Sequence, residues 1–456
     1  MAGSATDTGE VVAVIGGGAS GVLVSRELLR RTSARVRLLA AEPAPGPGVA
    51  YGAAAPWHLL NSPAAAMSAD PDDVGHFLDW SAARGRPVEP GAFVARQWFG
   101  AYLRDVFSDL RGGYADRFGV AQATVDHVAV DGPGHARLLL RDGAQVAADR
   151  VVLAVGNATP GIPACIGPHL YGHPAVITDP WAAHALTQIP TDRPVLLLGS
   201  GLTAVDVALT LTRGGHQAPV VMTSRHGLLP RTHRRGGQPA ALPAGWPPAA
   251  RSLSALVRAV RSAAAETGDW RAVVDGLRPH LDGYWRGFTA AERERFLRHV
   301  ARYWEVHRHR MAPVVADDLD ELRRSGALVV RTGRLRHLWA DADSVLRANL
   351  SDAPETDERF GAVINCTGPG LWPAHAAPVV RSLVAAGLAR PGPYGLGLDV
   401  GADGAIVDST GSPQDTLWAV GPARRGCFWE TTALPEIRRQ ARTLADTLVA
   451  RANQPA

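Results

Sequence analysis

Two stretches of the chain repeat one order of apolar and polar positions. Val11 to Ile15 is an unbroken apolar run, the mark of a parallel strand buried on both faces, and it ends in Gly16, Gly18 and Gly21 at GxGxxG spacing. GVLVSRELLRR then carries helical periodicity, and RVRLLAAE predicts a second strand ending at Glu42. The later stretch follows the same plan. PVLLL predicts the strand, Gly199, Gly201 and Ala204 the turn, LTAVDVALTLTR the helix with Gly214 placed to cap it, and APVVMT the next strand. Glycines at these positions permit a tight turn, close backbone approach to a diphosphate, and tight packing of helix on strand.

Between and after these stretches the pattern changes. Residues 120–156 read as a meander, ATVDHVAV, ARLLLRD and RVVLAVGN, with turn signals DGPG and RDGA. Its last strand runs to Gly156, where a chain returning to the first sheet passes close to a bound cofactor; Val128, on its first strand, is a further cofactor-binding candidate. FGAVINCTG ends at Gly368 and predicts the matching return in the second domain. Pro-containing segments near 158–194 and 353–360 predict the crossings between domains. Within 240–312, LSALVRAVRSAAAE, WRAVVDGLRPHL and TAAERERFLRHVARYWEVHRHRMA predict a helical insertion. It either covers a nicotinamide and shapes a substrate pocket or serves as a structural lid. No internal repeat of 20–50 residues shows beyond the two fingerprints. The expected fold is α/β, with two Rossmann-like dinucleotide-binding domains. The first, 1–190 with 345–456, is interrupted by the second, 191–344, which carries the insertion 240–312.

The residues around the turns separate the two sites. Glu42 lies 21 residues after Gly21, where a carboxylate takes the ribose hydroxyls. Arg225 lies 21 residues after Ala204, flanked by Ser224 and His226. An acid there repels a 2′-phosphate and an arginine pairs with it, so the second site is expected to prefer NADPH over NADH. A plain surface arginine after a strand is the alternative. Two sites suggest two dinucleotides, one donating and one accepting a hydride, with FAD in the N-terminal site and NADPH in the inserted one.

Composition narrows the classes. A chain of 456 residues suits two domains, and no apolar segment approaches the roughly 18–20 residues of a membrane span. The N-terminus MAGSATDTGE lacks the charged and apolar regions of a signal peptide, so a cytoplasmic protein without a membrane partner is expected. There is no lysine, so the 47 basic residues counted as Lys+Arg are all arginines. That excludes Schiff-base chemistry on lysine and leaves side-chain phosphate contacts to arginine, histidine and hydroxyl groups. A net charge of +4 is too small to argue for nucleic acid, and none is expected as a partner. Cys165, Cys366 and Cys427 stand too far apart for a CxxC pair. His299, His307 and His309 are joined only by Glu305, so no metal is expected.

The chain resembles bacterial FAD/NAD(P)-binding proteins of the two-dinucleotide flavoprotein class, related to class B flavin monooxygenases and amino-group N-hydroxylases. The resemblance covers nearly the whole length. It rests on GGGASG, GVAYGAAAPWHLLNSPAAAMSADPDDVGHFLDW, LLGSGLTAVD with SRHGLLPRTH, RYWEVHRHRMAP, INCTGPG and AVGPARRGCFWETTALPEIRRQA. It implies that Gly16, Gly18, Ser20, Gly21 and Glu42 hold FAD and that Gly199, Ser200, Gly201, Leu202, Thr203 and Arg225 hold NADPH. It also implies that Asn61 runs alongside the flavin ring. The usual Gly-Asp of the C-terminal motif is here Gly421 and Pro422, so the carboxylate for the ribityl hydroxyls is missing and backbone or another side chain must replace it. The following helix, with Pro435 in its first turn, offers its positive end to the flavin N1 edge, worth about 0.3 to 1 kcal/mol for the anionic reduced form. Baeyer–Villiger relatives carry FxGxxxHxxxW. YGHPAVITDPW, the nearest string here, has no histidine four residues after Gly172, which argues against that chemistry.

Trp304, His307, His309 and Arg310 form the richest donor cluster of the insertion. His309 or Arg310 facing the substrate or the NADP ribose is one reading, and a basic helix end pairing with carbonyls and acids is the other. Three functions stay open. One is an NADPH- and FAD-dependent monooxygenase hydroxylating nitrogen or carbon of a small polar metabolite, with oxygen as co-substrate. Another is an NADPH-dependent flavin reductase or dehydrogenase with a non-oxygen acceptor, and the third a cofactor-bound sensor without turnover. Oligomeric state is open.

Overall fold

The computed structural model describes residues 9–132, 134–341 and 345–452. Residues 1–8, most of the stretch read above for a leader, lie outside the described residues. Two compact units divide the chain, one of residues 1–56, 63–158 and 371–456 and one of residues 57–62 and 159–370.

In the first unit, β1 (Val11–Ile15), β2 (Arg35–Ala40), β3 (Phe118–Gln122), β7 (Arg150–Leu153), β16 (Ala405–Val407) and β17 (Pro413–Ala419) form a six-stranded sheet. Its order is β16-β17-β7-β1-β2-β3. β1 runs parallel between β2 and β7, with Ile15 opposite Leu39 and Leu153. Strand alternation explains the unbroken apolar run. Ala13 and Ile15 join a core with Val128, Leu138, Val379 and Leu383, and Val12 and Val14, fully buried, face the other side. The helices Ala19–Arg31 and Leu434–Ala452 pack on each other. β4 (Val125–Gly132), β5 (His135–Leu140) and β6 (Gln145–Ala148) form a separate antiparallel meander, covered at β4 by the helix Pro378–Ala385. RVVLAVGN is therefore not the meander's last strand. β6 takes that place, and β7 returns to the parallel sheet, where neighbours on both sides account for its uninterrupted apolar run.

The second unit repeats this topology. β8 (Val176–Ile177), β9 (Val195–Leu198), β10 (Val220–Ser224), β11 (Leu328–Thr332) and β15 (Ala362–Asn365) form a parallel sheet in the order β11-β10-β9-β15-β8. β9, β10, β11 and β15 take the places of β1, β2, β3 and β7. β12 (Leu335–Ala340), β13 (Leu346–Leu350) and β14 (Ala353–Phe360) form an antiparallel sheet like β4 to β6. The repeat thus extends well beyond the two turns.

The division of the chain differs from the expected 190/191 and 344/345: it falls at 158/159 and 370/371. β8, inside the segment assigned to the first domain, pairs with β15, and buried Asn365 of β15 donates to the carbonyls of Gly161 (3.0 Å) and Thr178 (3.1 Å). Residues 353–360, expected as a crossing, are β14. The helical insertion occupies the crossover from β10 to β11 as helices Leu253–Thr267, Trp270–Leu277 and Leu281–Gly287, then Ala290–Arg295 joined through a π turn to Ala301–Arg308. Ser252, Asp269 and Thr289 cap three of these, the last in a capping box with Glu292. Residues 240–252 contain no helix, since Pro243, Pro247 and Pro248 interrupt them. Gly214 caps the helix Leu202–Arg213 as expected, its N–H reaching the Thr210 carbonyl (3.0 Å), and the left-handed residue is the next one, Gly215, φ +89°.

A buried ion-pair network ties the first unit together. Arg26 pairs with Glu27 (2.9 Å) and with Asp70, and Arg442 of the last helix reaches Glu27 (2.7 Å) and Asp72. Burial pushes the Asp70 carboxyl up. The Asp72 N–H and the Arg26 and Arg30 guanidinium groups outweigh this and hold it below the usual carboxylate range. Arg26→Ala removes the cation shared by Glu27 and Asp70, which keep Arg442 and Arg30, and should cost about 1–3 kcal/mol in urea unfolding. The Asp70 contribution is present above its unfolded pKa and lost as pH falls through the folded one. Asp70→Asn should therefore flatten the loss of stability seen below about pH 4.

Candidate cofactor sites

In the first turn Gly16 has φ +115°, and a Cβ there would stand 2.4 Å from the Ala154 carbonyl oxygen at the end of β7. A Cβ on Gly21 would stand 1.9 Å from the Gly16 oxygen. No side chain fits either gap, so the helix Ala19–Arg31 is held against the strand ends. Its N-cap, Gly18, supplies no capping side chain, which leaves the helix N–H groups open to an anion. Glu42 is exposed, and its Oε2 lies 3.1 Å from where a Cβ on Gly17 would be, placing the carboxylate beside the turn. Two glycines missed in the sequence complete the cradle. Gly46 donates to the Gly17 carbonyl (2.7 Å), and Gly48, φ +55°, would bring a Cβ to 3.1 Å from Gly18 Cα. The PAPGPG string directly after Glu42 was the available signal.

Gly421, φ +79°, stands against half of this cradle: a Cβ on it would be 3.0 Å from Ser20 Oγ. Its N–H donates to Gln440 Oε1 of the last helix (2.7 Å), so Gln440 secures the turn in which Pro422 replaces the usual acid. That helix carries Pro435 in its first turn as expected. Gly156, φ +72°, has open space around its Cβ position. The Val128 side chain belongs to the meander core, which leaves only its main chain to a ligand.

The second turn repeats the geometry. Gly199 has φ +122°, and a Cβ would stand 2.5 Å from the Cys366 oxygen at the end of β15. Gly201 is the N-cap of Leu202–Arg213, again without a capping side chain, and Leu202 and Thr203 open the helix half-buried. Ser200 is turned inward, with Oγ 2.8 Å from Ser224 Oγ and donating to the Leu228 carbonyl (2.6 Å), so it pins the SRHG loop. Arg225 and His226 are exposed.

Strand register corrects the spacing argument. The Gly16 N–H bonds to the Leu39 carbonyl and the Gly199 N–H to that of Thr223, which makes Leu39 and Thr223 equivalent. Glu42 lies three residues past Leu39, whereas Arg225 lies only two past Thr223. The structural counterpart of Glu42 is therefore His226. One more residue separates turn and strand in the second copy, and counting from the glycines could not reveal it.

The remaining candidates lie in the second unit. His58 Nε2 stands 2.9 Å from Thr210 Oγ1, and Asn61 accepts through its carbonyl from Nε2–H of His233 (2.9 Å). Burial first, then the Arg310 charge, pushes His233 down to about 4, so it is neutral at pH 7. His309 Nε2 pairs with Glu305 (3.0 Å), and its main-chain N–H reaches the Glu305 carbonyl (2.8 Å). Arg310, 4% exposed, pairs with Asp275 and lies over the Trp270 ring. His307 donates to the Tyr303 carbonyl (2.7 Å). This is helix-end packing, and it encloses Arg310 rather than turning it to a substrate. Among the described residues no group of three His, Cys, Asp or Glu could hold a metal ion, and no helix is long and apolar enough to cross a membrane.

Fold and turns together define a flavoprotein architecture of two dinucleotide-binding domains. Residues 13–158 match the family described as FAD-NAD(P)-binding. No curated protein matches the chain in sequence. Among solved structures, ornithine hydroxylase from Pseudomonas aeruginosa shares the fold over 98% of this chain and 100% of its own, with TM-score 0.67 and 16% identity. An ornithine N-hydroxylase from Kutzneria sp. 744, solved with reduced FAD, NADP+ and L-ornithine, covers 98% and 100% with TM-score 0.68 and 14% identity. L-lysine 6-monooxygenase from Pseudomonas syringae covers 97% and 99% with TM-score 0.64 and 15% identity.

The two turns should fail separately. Gly199→Ala drives a methyl group into the Cys366 carbonyl, and NADPH affinity should fall by at least about tenfold while the flavin retained per protein stays unchanged. Gly16→Ala should do the reverse to flavin content. Loss of both cofactors from either variant would show that the sites are not independent.

Proposed function

We propose that the chain is an NADPH-dependent FAD monooxygenase that hydroxylates nitrogen or carbon of a small polar metabolite. The observation that carries this is the pair of like-built cradles in one chain, one beside a carboxylate and the other beside cations. The residues fit the two groups. The Gly16 to Gly21 turn with Glu42 and Ser20 would hold FAD, and the Gly199 to Ala204 turn with Ser224, Arg225 and His226 would hold NADPH. FAD, when bound, accepts two electrons from NADPH and passes them to oxygen. The chain's own part is to hold and orient. Backbone N–H groups take each diphosphate, Glu42 takes the ribose hydroxyls, and neutral His233 fixes the Asn61 bend by its donated hydrogen bond.

The N-hydroxylases share the fold at TM-scores of 0.64 to 0.68, above both a thioredoxin reductase from Lactococcus lactis at 0.53 and a flavin-containing monooxygenase from Stenotrophomonas maltophilia at 0.52, so the likeness to the N-hydroxylases is what supports oxygenase chemistry over a reductase. The substrate class remains the metabolite amine or carbon centre named above, and oxygen the co-substrate. NADPH should bleach the flavin under anaerobic conditions, and in air a small amine substrate should yield about one hydroxylated product per NADPH consumed. Bleaching with transfer to a dye but no hydroxylated product would leave the reductase. Failure of NADPH to bleach would leave the sensor. Arg225→Ala should weaken NADPH by about tenfold more than NADH, and equal losses would remove the 2′-phosphate from this end of β10.

A further inference from the structure

The end of β10 holds more charge than one arginine. β10 and β11 pair in parallel with Ser224 opposite Thr332, and the Gly333 N–H donates to the Ser224 carbonyl (2.9 Å). The two chains therefore leave the sheet side by side, one into Arg225 and His226, the other into Arg334. A Cβ on Gly227 would stand 2.4 Å from Thr332 Oγ1, so the loops touch. Arg302, on the helix Ala301–Arg308 of the insertion, approaches the same place. Arg225, Arg302 and Arg334 enter no ion pair among the described residues. Asp352 beside Gly333 is engaged by Arg331 (2.7 Å), which also takes Glu358 (2.6 Å). His226 stands at the register position where the first copy puts Glu42, and desolvation, then Arg302, Arg225 and Arg334, lower its pKa, so it is neutral without ligand at pH 7. Uncompensated cations of three separate elements around a neutral imidazole, at the carboxyl ends of parallel strands, make a receptor for a phosphate dianion.

We propose that His226 is the centre of the 2′-phosphate receptor, that Arg334 of the neighbouring strand end is its second specificity residue beside Arg225, and that His226 takes up a proton from solvent as the phosphate binds. This rests on the reading of the second turn as an NADPH site. The dianion restores the charge balance that the arginines upset, so imidazolium becomes the favoured form only in the complex. The bound-state pKa exceeds the free one. Affinity is then full below the free pKa, declines as pH rises, and levels off once above the bound pKa.

The test uses the full-length protein with its flavin and two probes, adenosine 2′,5′-bisphosphate and 5′-AMP, with affinities measured by calorimetry between about pH 6.5 and 8.5 in buffers of different ionisation enthalpy. The bisphosphate should bind more tightly than 5′-AMP, lose several-fold affinity per pH unit within that window, and draw protons from the buffer. 5′-AMP should do neither. His226→Gln should abolish the uptake and flatten the profile. Arg334→Gln should weaken the bisphosphate by about tenfold and leave 5′-AMP within about twofold, which also reports an intact fold. Equal affinity of the wild type for both probes would overturn the NADPH reading and this proposal with it. Tight bisphosphate binding with a flat profile, or one unchanged in His226→Gln, would overturn the proton-linked receptor alone. An unchanged probe ratio in Arg334→Gln would remove the second strand end from it.

Discussion

Each unit depends on the closeness of one turn glycine to one backbone carbonyl: Gly16 to Ala154 in the first, Gly199 to Cys366 in the second. The gap excludes a Cβ, and the positive φ of both glycines excludes most L-side chains independently. Once the turn is locked there, the helix behind it can only start at Gly18 or Gly201, and neither offers a side chain to its own N–H groups. An open helix start follows from packing, before any ligand is considered. The parallel strands on either side of β1 and β9 are the same constraint from below, because only parallel neighbours on both flanks bring the carbonyl to the glycine.

The copies diverge where the constraint does not reach. Past the first turn the chain needs one residue fewer to regain the sheet than past the second, which exchanges the counterpart of Glu42 from Arg225 to His226. In the first copy the crossover to β3 places Gly46 and Gly48 against the turn. In the second, the crossover is filled by capped helices, whose last segment brings Arg302 back toward His226. One sheet plan thus yields an acidic rim and a basic rim.

How much of this was legible in the sequence depends on the range of the interaction. Turns, flanking strands and first helices are set by residues within about one βαβ unit, and GGGASG and GSGLTAVD expressed them fully. The division of the chain was not local. Segment 159–190 belongs to the second unit because of pairings made with β15 far along the chain, and prolines there mark irregular backbone without saying which sheet owns it. The roles of His309 and Arg310 depended on Glu305, one turn away, and on Asp275 in another helix. The first partner could be guessed from i,i+4 spacing; the second could not. His233 and Gln440 stand inside quoted strings, SRHGLLPRTH and the C-terminal one, but nothing local marked their partners, and only the fold brings them to Asn61 and Gly421.

The exchange of Asp for Pro422 bears on how the first cradle works. Pro422 supplies neither a carboxylate nor an N–H, and the Gln440 oxygen is already engaged by Gly421. The helix that begins at Leu434 carries Glu436 in its first turn, 3% exposed, with Arg439 3.6 Å away. A buried carboxylate at a helix start offsets part of the positive end, so the dipole contribution to a reduced flavin is smaller than the roughly 0.3 to 1 kcal/mol of an acid-free turn. Both C-terminal contributions are thus diminished in this chain. What remains concentrates on the Gly16 to Gly21 turn, where Gly46 and Gly48 close a second backbone layer over Gly17 and Gly18. A cradle of main-chain groups keeps its donors fixed whichever side chains surround it, which is the arrangement able to hold a diphosphate when the carboxylate at the far end of the site is gone.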